Sequence, residues 1–211
     1  MIEKINTNGF DFVDLGLPSG TLWSTCNVGA DKPSDSGLYF QWGDVQGYTA
    51  EQVGNGEGQK KFSSDWSDYK WHLSGDEFDN DNFTKYKTEG DVLELDDDAA
   101  HFHMGGSWHM PSSEQIQELI DNTTNTWTTQ DGVNGRLFTS KSDSSKSIFV
   151  PAAGYAWDGS ISSSGSLGLV WSSMLLTDYV RYGQYLNFTS SEVCLYDSAR
   201  SYGRSVRGVV G

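Results

Sequence analysis

Residues 12–30, FVDLGLPSGTLWSTCNVGA, hold two short apolar segments with a turn between them. The first segment, residues 10–15, begins just ahead of this stretch, and the second covers residues 21–25. Residues 17–20 read LPSG, in which proline and glycine favour a turn of the backbone. Short runs of β-branched and aromatic residues between turn signals are typical of strands. The stretch therefore predicts a strand, a turn and a second strand.

The same pattern of short strands continues along the chain, with one clear helix. At the start of that helix, Ser112 is followed three residues later by Gln115, as in a capping box. Ile116, Leu119 and Ile120 then repeat at the spacing of a buried helix face. Further strands are predicted at residues 38–42, 136–139, 147–150, 169–172, 185–189, 193–196 and 205–209.

Residues 43–91 differ from the rest, because they are polar and show no sustained period of 2 or 3.6. Loops of this length in a compact domain are usually functional or disordered. Scattered aromatic residues, among them Trp66, Tyr69 and Tyr86, favour an ordered loop that packs back on the domain. A helical turn is expected near Ala99. We expect residues 1–211 to form a single α+β domain with a mixed, mainly antiparallel sheet, few helices and long ordered loops.

Charge and composition exclude several classes of protein. The chain has 29 acidic and 14 basic residues, for a formal net charge of −15, which disfavours nucleic acid and anionic membranes as partners. Aromatic residues make up 13%, too many for a disordered acidic chain. No apolar run is long enough to span a bilayer, so no membrane insertion is expected. The N-terminal residues lack the hydrophobic segment of a secretory signal.

Familiar catalytic motifs are missing from the sequence. It contains no phosphate-binding P-loop and no G-x-S-x-G nucleophile motif. His101 and His103, with acidic residues at 96–98, are a weak zinc candidate, and the acidic run at 76–81 is a weak calcium candidate. Cys26 and Cys194 are far apart and are best interpreted as two isolated thiols. We expect no catalytic residue, no metal and no cofactor.

Residues 175–202 carry the most informative pattern, because tyrosines alternate with small polar residues. Tyrosine offers a large, rigid contact area at low entropic cost, and serine or asparagine supplies adaptable hydrogen bonds. Several of these residues fall in predicted loops, where binding groups concentrate. The segment is consistent with a recognition surface or with ordinary sheet tyrosines.

The order of motifs resembles a large bacterial family, the Fibrobacter-type major paralogous domains. The resemblance rests on the opening stretch at 12–30 and on six further motifs, which together cover nearly the whole chain. These are GLYFQWG at 37–43, LELDDDAA at 93–100, GSWHMPS at 106–112, VPAAGY at 150–155, WSS at 171–173 and GRSVR at 203–207.

The resemblance implies a C-type-lectin-like fold, in the version of formylglycine-generating enzymes. Some members are variable proteins of diversity-generating retroelements, whose C-terminal residues change at adenines copied from a template repeat. Residues 171–207 are similar to such a variable region. Six residues of this region are interpreted as framework rather than as ligand-binding positions: Gln184, Glu192, Gly203, Arg204, Val206 and Arg207. The implied ligand-binding residues are Leu176, Tyr179, Arg181, Tyr182, Tyr185, Asn187, Cys194, Tyr196, Asp197, Ser198, Ser201 and Tyr202.

The function expected from this resemblance is non-catalytic binding of a protein or glycan on another cell or surface. A location on the cell surface or on a phage virion follows from the same reasoning. The cysteine pair of formylglycine-generating enzymes and the tripeptides of calcium-dependent lectins are not found here. Two alternatives stay open: a metal-dependent carbohydrate binder or enzyme on the same fold, and a structural, pilus-like surface subunit.

Overall fold

The computed structural model describes residues 5–73 and 82–211, which form short antiparallel strands and two α-helices. The helices are α1, Ala99–Met104, and α2, Ser113–Asn122. The strands are β1 Ile5–Thr7, β2 Phe10–Asp14, β3 Leu22–Ser24, β4 Thr123–Gln130, β5 Val133–Ser140, β6 Ser147–Pro151, β7 Tyr155–Trp157, β8 Ser160–Ser162, β9 Gly168–Leu175, β10 Tyr182–Phe188, β11 Val193–Ala199 and β12 Val209–Val210.

The described strands form four small sheets, with orders β1-β2-β3-β12, β11-β10-β9, β4-β5-β6 and β7-β8. Every pairing between these strands is antiparallel. The prediction of mainly antiparallel strands with few helices is therefore confirmed. The expected single mixed sheet is wrong, because the strands divide among separate sheets.

Two predicted strands are wrong or too long. At residues 38–42, Tyr39 and Phe40 form only isolated bridges, to Tyr48 and Arg204. The aromatic residues of this segment are buried in the core rather than paired in a ladder. At residues 205–209, the pairing consists of β12 with β3, an antiparallel bridge between Val209 and His109, and a parallel bridge between Ser205 and Val170. The apolar residues of these two segments indicate burial, and burial alone does not distinguish a strand from a buried loop.

Strand β4 was not predicted, although it pairs with β5 along its whole length, from Thr123 opposite Ser140 to Gln130 opposite Val133. Its sequence, TTNTWTTQ, is polar because about half of its side chains face solvent. Threonine still favours the extended backbone, since it is β-branched. Strands β1, β7 and β8 were missed as well, and each is three residues long.

Helix α2 confirms its prediction in detail. The Ser112 hydroxyl accepts a hydrogen bond from the Gln115 backbone N–H at 3.2 Å, and the Ser112 N–H donates to Gln115 Oε1 at 2.9 Å. Ile116 and Leu119 are fully buried on the face turned to the core. The predicted turn near Ala99 is also confirmed as α1. No described helix is long and apolar enough to cross a membrane.

The long segment after residue 43 packs back on the domain as expected. Trp66, Tyr69 and Tyr86 are buried, and the Tyr69 hydroxyl donates to the Trp42 carbonyl at 2.8 Å. The acidic run at 76–81, the calcium candidate, lies outside the described residues. Trp66, Tyr69 and Phe83 of this segment form a cluster against which Ala199 of β11 packs.

Candidate functional site

One face of the β9–β10–β11 sheet is used for packing. Leu186 and Phe188 of β10 are buried in the core that α2 covers, and Leu195 of β11 packs against the same core. The Ser113 hydroxyl of α2 donates to Gln184 Oε1 at 2.5 Å. Because side chains alternate along a strand, the intervening residues of β10 and β11 point to the opposite face.

The opposite face carries many of the residues implied by the sequence. Residues directly opposite each other on antiparallel strands share a face and lie within contact distance. The cross-strand pairs on this face are Tyr185 with Tyr196, Asn187 with Cys194, and Gly183 with Ser198.

A cavity of about 370 Å³ lies over this face, and we call it the central cavity. Its size is within the range of small-molecule sites, about 300–1,000 Å³. Six of the twelve predicted residues line it: Tyr185, Asn187, Cys194, Tyr196, Ser198 and Tyr202. Five other residues complete the lining: Tyr155, Leu167, Leu169, Glu192 and Arg204.

Two neighbouring cavities extend the same surface. A cavity of about 280 Å³ shares Tyr202 with the central cavity and is lined by three more predicted residues, Arg181, Tyr182 and Ser201. A cavity of about 560 Å³ shares Arg181 with the second and includes Tyr179. Ten of the twelve predicted residues therefore line three adjoining cavities. The other two, Leu176 and Asp197, are partly exposed and line none of the three.

Two of the predicted residues are not the exposed side chains that the sequence suggested. Tyr185 is only 4% exposed and Ser201 only 1% exposed. The Tyr185 ring packs edge-on against Trp171, with ring centroids 5.6 Å apart, because the two residues face each other across β10 and β9. The Ser201 carbonyl accepts a hydrogen bond from Gln41 Nε2 at 2.9 Å. Tyr185 forms the floor of the central cavity, and Ser201 is part of the interior.

The tyrosines divide into two groups by the use of their hydroxyls. The hydroxyls of Tyr39 and Tyr69 donate to buried carbonyls, both at 2.8 Å, and that of Tyr86 donates to the Asp97 carboxylate at 2.7 Å. By contrast, four tyrosines of the cavity surface make no hydroxyl hydrogen bond to any described residue: Tyr182, Tyr185, Tyr196 and Tyr202. Their hydroxyls are therefore available to a ligand.

Arg204 lies beneath these tyrosines and is 2% exposed. Its guanidinium carbon is 3.9 Å from the ring centroid of Tyr185, 4.1 Å from that of Trp171 and 5.5 Å from that of Tyr202. Burial lowers the pKa of Arg204 to about 10, so the group is still charged at neutral pH. Burial also raises the pKa of Tyr185 to about 12, and the nearby Arg204 charge opposes that shift. The cavity floor is thus a cation enclosed by aromatic rings.

The zinc candidates are engaged elsewhere. His101 Nδ1 is 3.1 Å from the Trp108 carbonyl and His103 Nε2 is 2.9 Å from the Val45 carbonyl, and both residues lie on helix α1. Asp98 caps that helix by accepting the His101 backbone N–H at 2.9 Å. Within residues 5–73 and 82–211, no three histidine, cysteine or acidic residues come together as a metal site. Cys26 and Cys194 are free thiols, as interpreted from their spacing.

Sequence reasoning missed part of the central cavity. Arg204 was interpreted as framework, and Tyr155 comes from β7, a strand that was not predicted. The sequence offered no signal for the role of Arg204, because its burial is set by the fold. Tyr155 had no local signal, because only the fold brings it beside Tyr202, with ring centroids 5.9 Å apart. No family model, no curated protein and no solved structure matches this chain.

Proposed function

We propose that the protein is a non-catalytic binding protein of the receptor or adhesin type. Its ligand is a protein or glycan on another cell or surface, recognised through residues 171–207. The observation that carries the proposal is the central cavity, which gathers six of the twelve sequence-implied residues on one face of a sheet. The adjoining cavities, joined through Tyr202 and Arg181, extend the contact area.

The chemistry of this surface supports recognition. Tyr196 is 60% exposed. A ligand that covers this ring would therefore remove a large apolar area from water. The unbonded hydroxyls of Tyr182 and Tyr202 can form hydrogen bonds with a ligand without breaking any bond to described residues. Asn187 and Ser198 add small polar groups beside them. Rigid aromatic anchors with adaptable polar neighbours are the composition of antibody-like binding surfaces.

The proposal extends to the fold and the origin of this surface. We propose a C-type-lectin-like fold and a variable region diversified by a retroelement, displayed on a cell surface or a phage virion. The different roles of the two faces of the sheet support this view. Leu186 and Phe188 pack on the core side, so changes at Asn187 or Tyr196 on the opposite side leave the core contacts in place.

Two variants with matched exposure test the binding function. Tyr196 and Phe102 are aromatic residues that are 60% and 63% exposed, and Phe102 lies on α1 rather than on the cavity surface. The labelled protein is applied to an array of neutral glycans, acidic glycans and purified cell-surface proteins. We expect Tyr196→Ser to weaken the strongest signal about tenfold, which corresponds to about 1.4 kcal/mol. We expect Phe102→Ser to leave it unchanged.

Equal losses in both variants would contradict a binding site at the cavity surface. The absence of any signal from the unmodified protein on the whole array would contradict the binding function. Folding of each variant is checked by its melting temperature, since surface changes usually alter stability by no more than about 0.5 kcal/mol.

A further inference from the structure

Arg204 differs from the two other buried arginines near the C-terminus. Arg200 donates from Nη1 to the Tyr86 carbonyl at 3.0 Å, although its Nε and Nη2 are buried without a partner. Arg207 donates from Nε to Asn27 Oδ1 at 3.0 Å and from Nη1 to the Phe149 carbonyl at 2.9 Å. The Arg204 side chain makes no hydrogen bond and no ion pair with any residue in the described parts of the chain.

The free donors of Arg204 need an explanation. Its Nε and Nη1 are buried without an acceptor, and a buried polar group without a partner is destabilising, more so when it is charged. The rings of Trp171 and Tyr185 stabilise the positive charge, but stacking does not use the N–H groups. Nη2 is the one of the three nitrogens that is not buried, and Arg204 lines the central cavity.

The side chains around Arg204 indicate which chemical groups a ligand of the central cavity would carry. Tyr155 and Tyr202 stack with an interplanar angle of 27° and present aromatic surface beside Arg204. Asn187 makes only a weak contact, 3.7 Å from its Nδ2 to Cys194 Sγ. Aromatic surface next to unused amide and hydroxyl groups suits a sugar ring, which has apolar C–H patches and several hydroxyls.

The charges around the cavity limit the ligand to a single negative group. Glu192 is exposed and lines the same cavity, so it repels a second anionic group near the rim. Asp197 also acts on Arg204 electrostatically. The net charge of −15 disfavours polyanions at longer range. A carboxylate accepts charge-assisted hydrogen bonds from a guanidinium N–H and carries one charge.

We propose that the central cavity binds an acidic sugar, a hexuronate or a sialate, with its carboxylate on the Arg204 guanidinium and its ring against Tyr155 and Tyr202. This inference rests on the proposed binding function and specifies its ligand class. The carboxylate accepts a hydrogen bond from Arg204 Nη2, the nitrogen that is not buried, and the hydroxyl of Tyr185 on the cavity floor is free to donate to the same ligand.

The experiment compares two sugars that differ only in the carboxylate. Methyl glucuronide and methyl glucoside are titrated into the full chain, and binding is followed by NMR chemical shifts and by the melting temperature. Methyl sialoside serves as a second acidic probe. We expect at least one acidic sugar to bind at least tenfold more tightly than methyl glucoside. Equal binding of acidic and neutral sugars, or no binding of either acidic probe, would overturn the proposal.

The variant Arg204→Gln removes the charge and should abolish the preference for the acidic sugar. Because Arg204 is buried, this variant is informative only if it keeps its fold; the wild-type comparison of the two sugars decides the proposal without it. Outcomes of the two proposals are separable. If acidic sugars fail while Tyr196-dependent binding persists on the array, the acidic-sugar site is wrong and the binding function stands. If both fail, the binding function is wrong too.

Discussion

Removal of single tyrosine hydroxyls should separate structural tyrosines from binding tyrosines. The Tyr39 hydroxyl donates to the buried Ala153 carbonyl at 2.8 Å, and no other described group donates to that carbonyl. Tyr39→Phe therefore leaves a buried acceptor without a partner, at a cost of about 1–3 kcal/mol. The Tyr202 hydroxyl has no partner among the described residues, so Tyr202→Phe should change stability by less than about 0.5 kcal/mol.

In a protein of this size, about 1 kcal/mol shifts the melting temperature by about 2–4 °C. We therefore expect a fall of about 2–12 °C for Tyr39→Phe and of less than about 2 °C for Tyr202→Phe. Scanning calorimetry measures both, and urea unfolding checks that the two variants keep the same m value. A melting temperature for Tyr202→Phe as low as that of Tyr39→Phe would refute the division of the tyrosines into two groups.

Three further predictions follow from local geometry. Gly168→Ala would bring a Cβ to 1.9 Å from the Phe188 ring. We therefore expect the free energy of unfolding, measured in urea, to fall by about 1–3 kcal/mol. An unchanged urea midpoint would contradict this packing. Ser112→Ala removes the cap of α2 and should cost about 1 kcal/mol, measured in the same way, whereas no loss would mean that the capping bond is unimportant. Hydrogen bonds, chiefly from Ser63, lower the pKa of Asp65 to about 2. The contribution of Asp65 to stability is therefore present above pH 4 and is lost as pH falls towards 2. Asp65→Asn should weaken this loss of stability in acid, and an unfolding free energy with the same pH dependence in both proteins would contradict the prediction.

The parts of the fold with local chemical signals were predictable from sequence. Ser112 and Gln115 define the start of α2 without reference to the rest of the chain, because both bonds lie within one turn. The alternation at residues 185–189 and 193–196 likewise indicated the two strands that carry the cavity face. Aromatic residues in the long loop indicated that it packs on the domain, as Trp66 does.

The remaining features depend on tertiary contacts. Tyr185 has the same composition signal as Tyr196, and only the position of Trp171 across the sheet makes one buried and the other exposed. The floor of the cavity was missed because Arg204 and Tyr155 are 49 positions apart in the chain. Strand β4 could not be predicted from hydrophobic periodicity, because its sequence, TTNTWTTQ, contains a single large apolar residue.

A binding surface diversified by a retroelement should be visible in the natural variation of the gene. The codons for residues 171–207 are sequenced across the source population, together with the flanking DNA. We expect substitutions concentrated at cavity-facing residues such as Asn187, Tyr196 and Ser198, with a nearby adenine-rich repeat and constant codons for Trp171 and Leu186. Uniform codons throughout, or variation spread equally over core and cavity positions, would contradict a diversified binding surface.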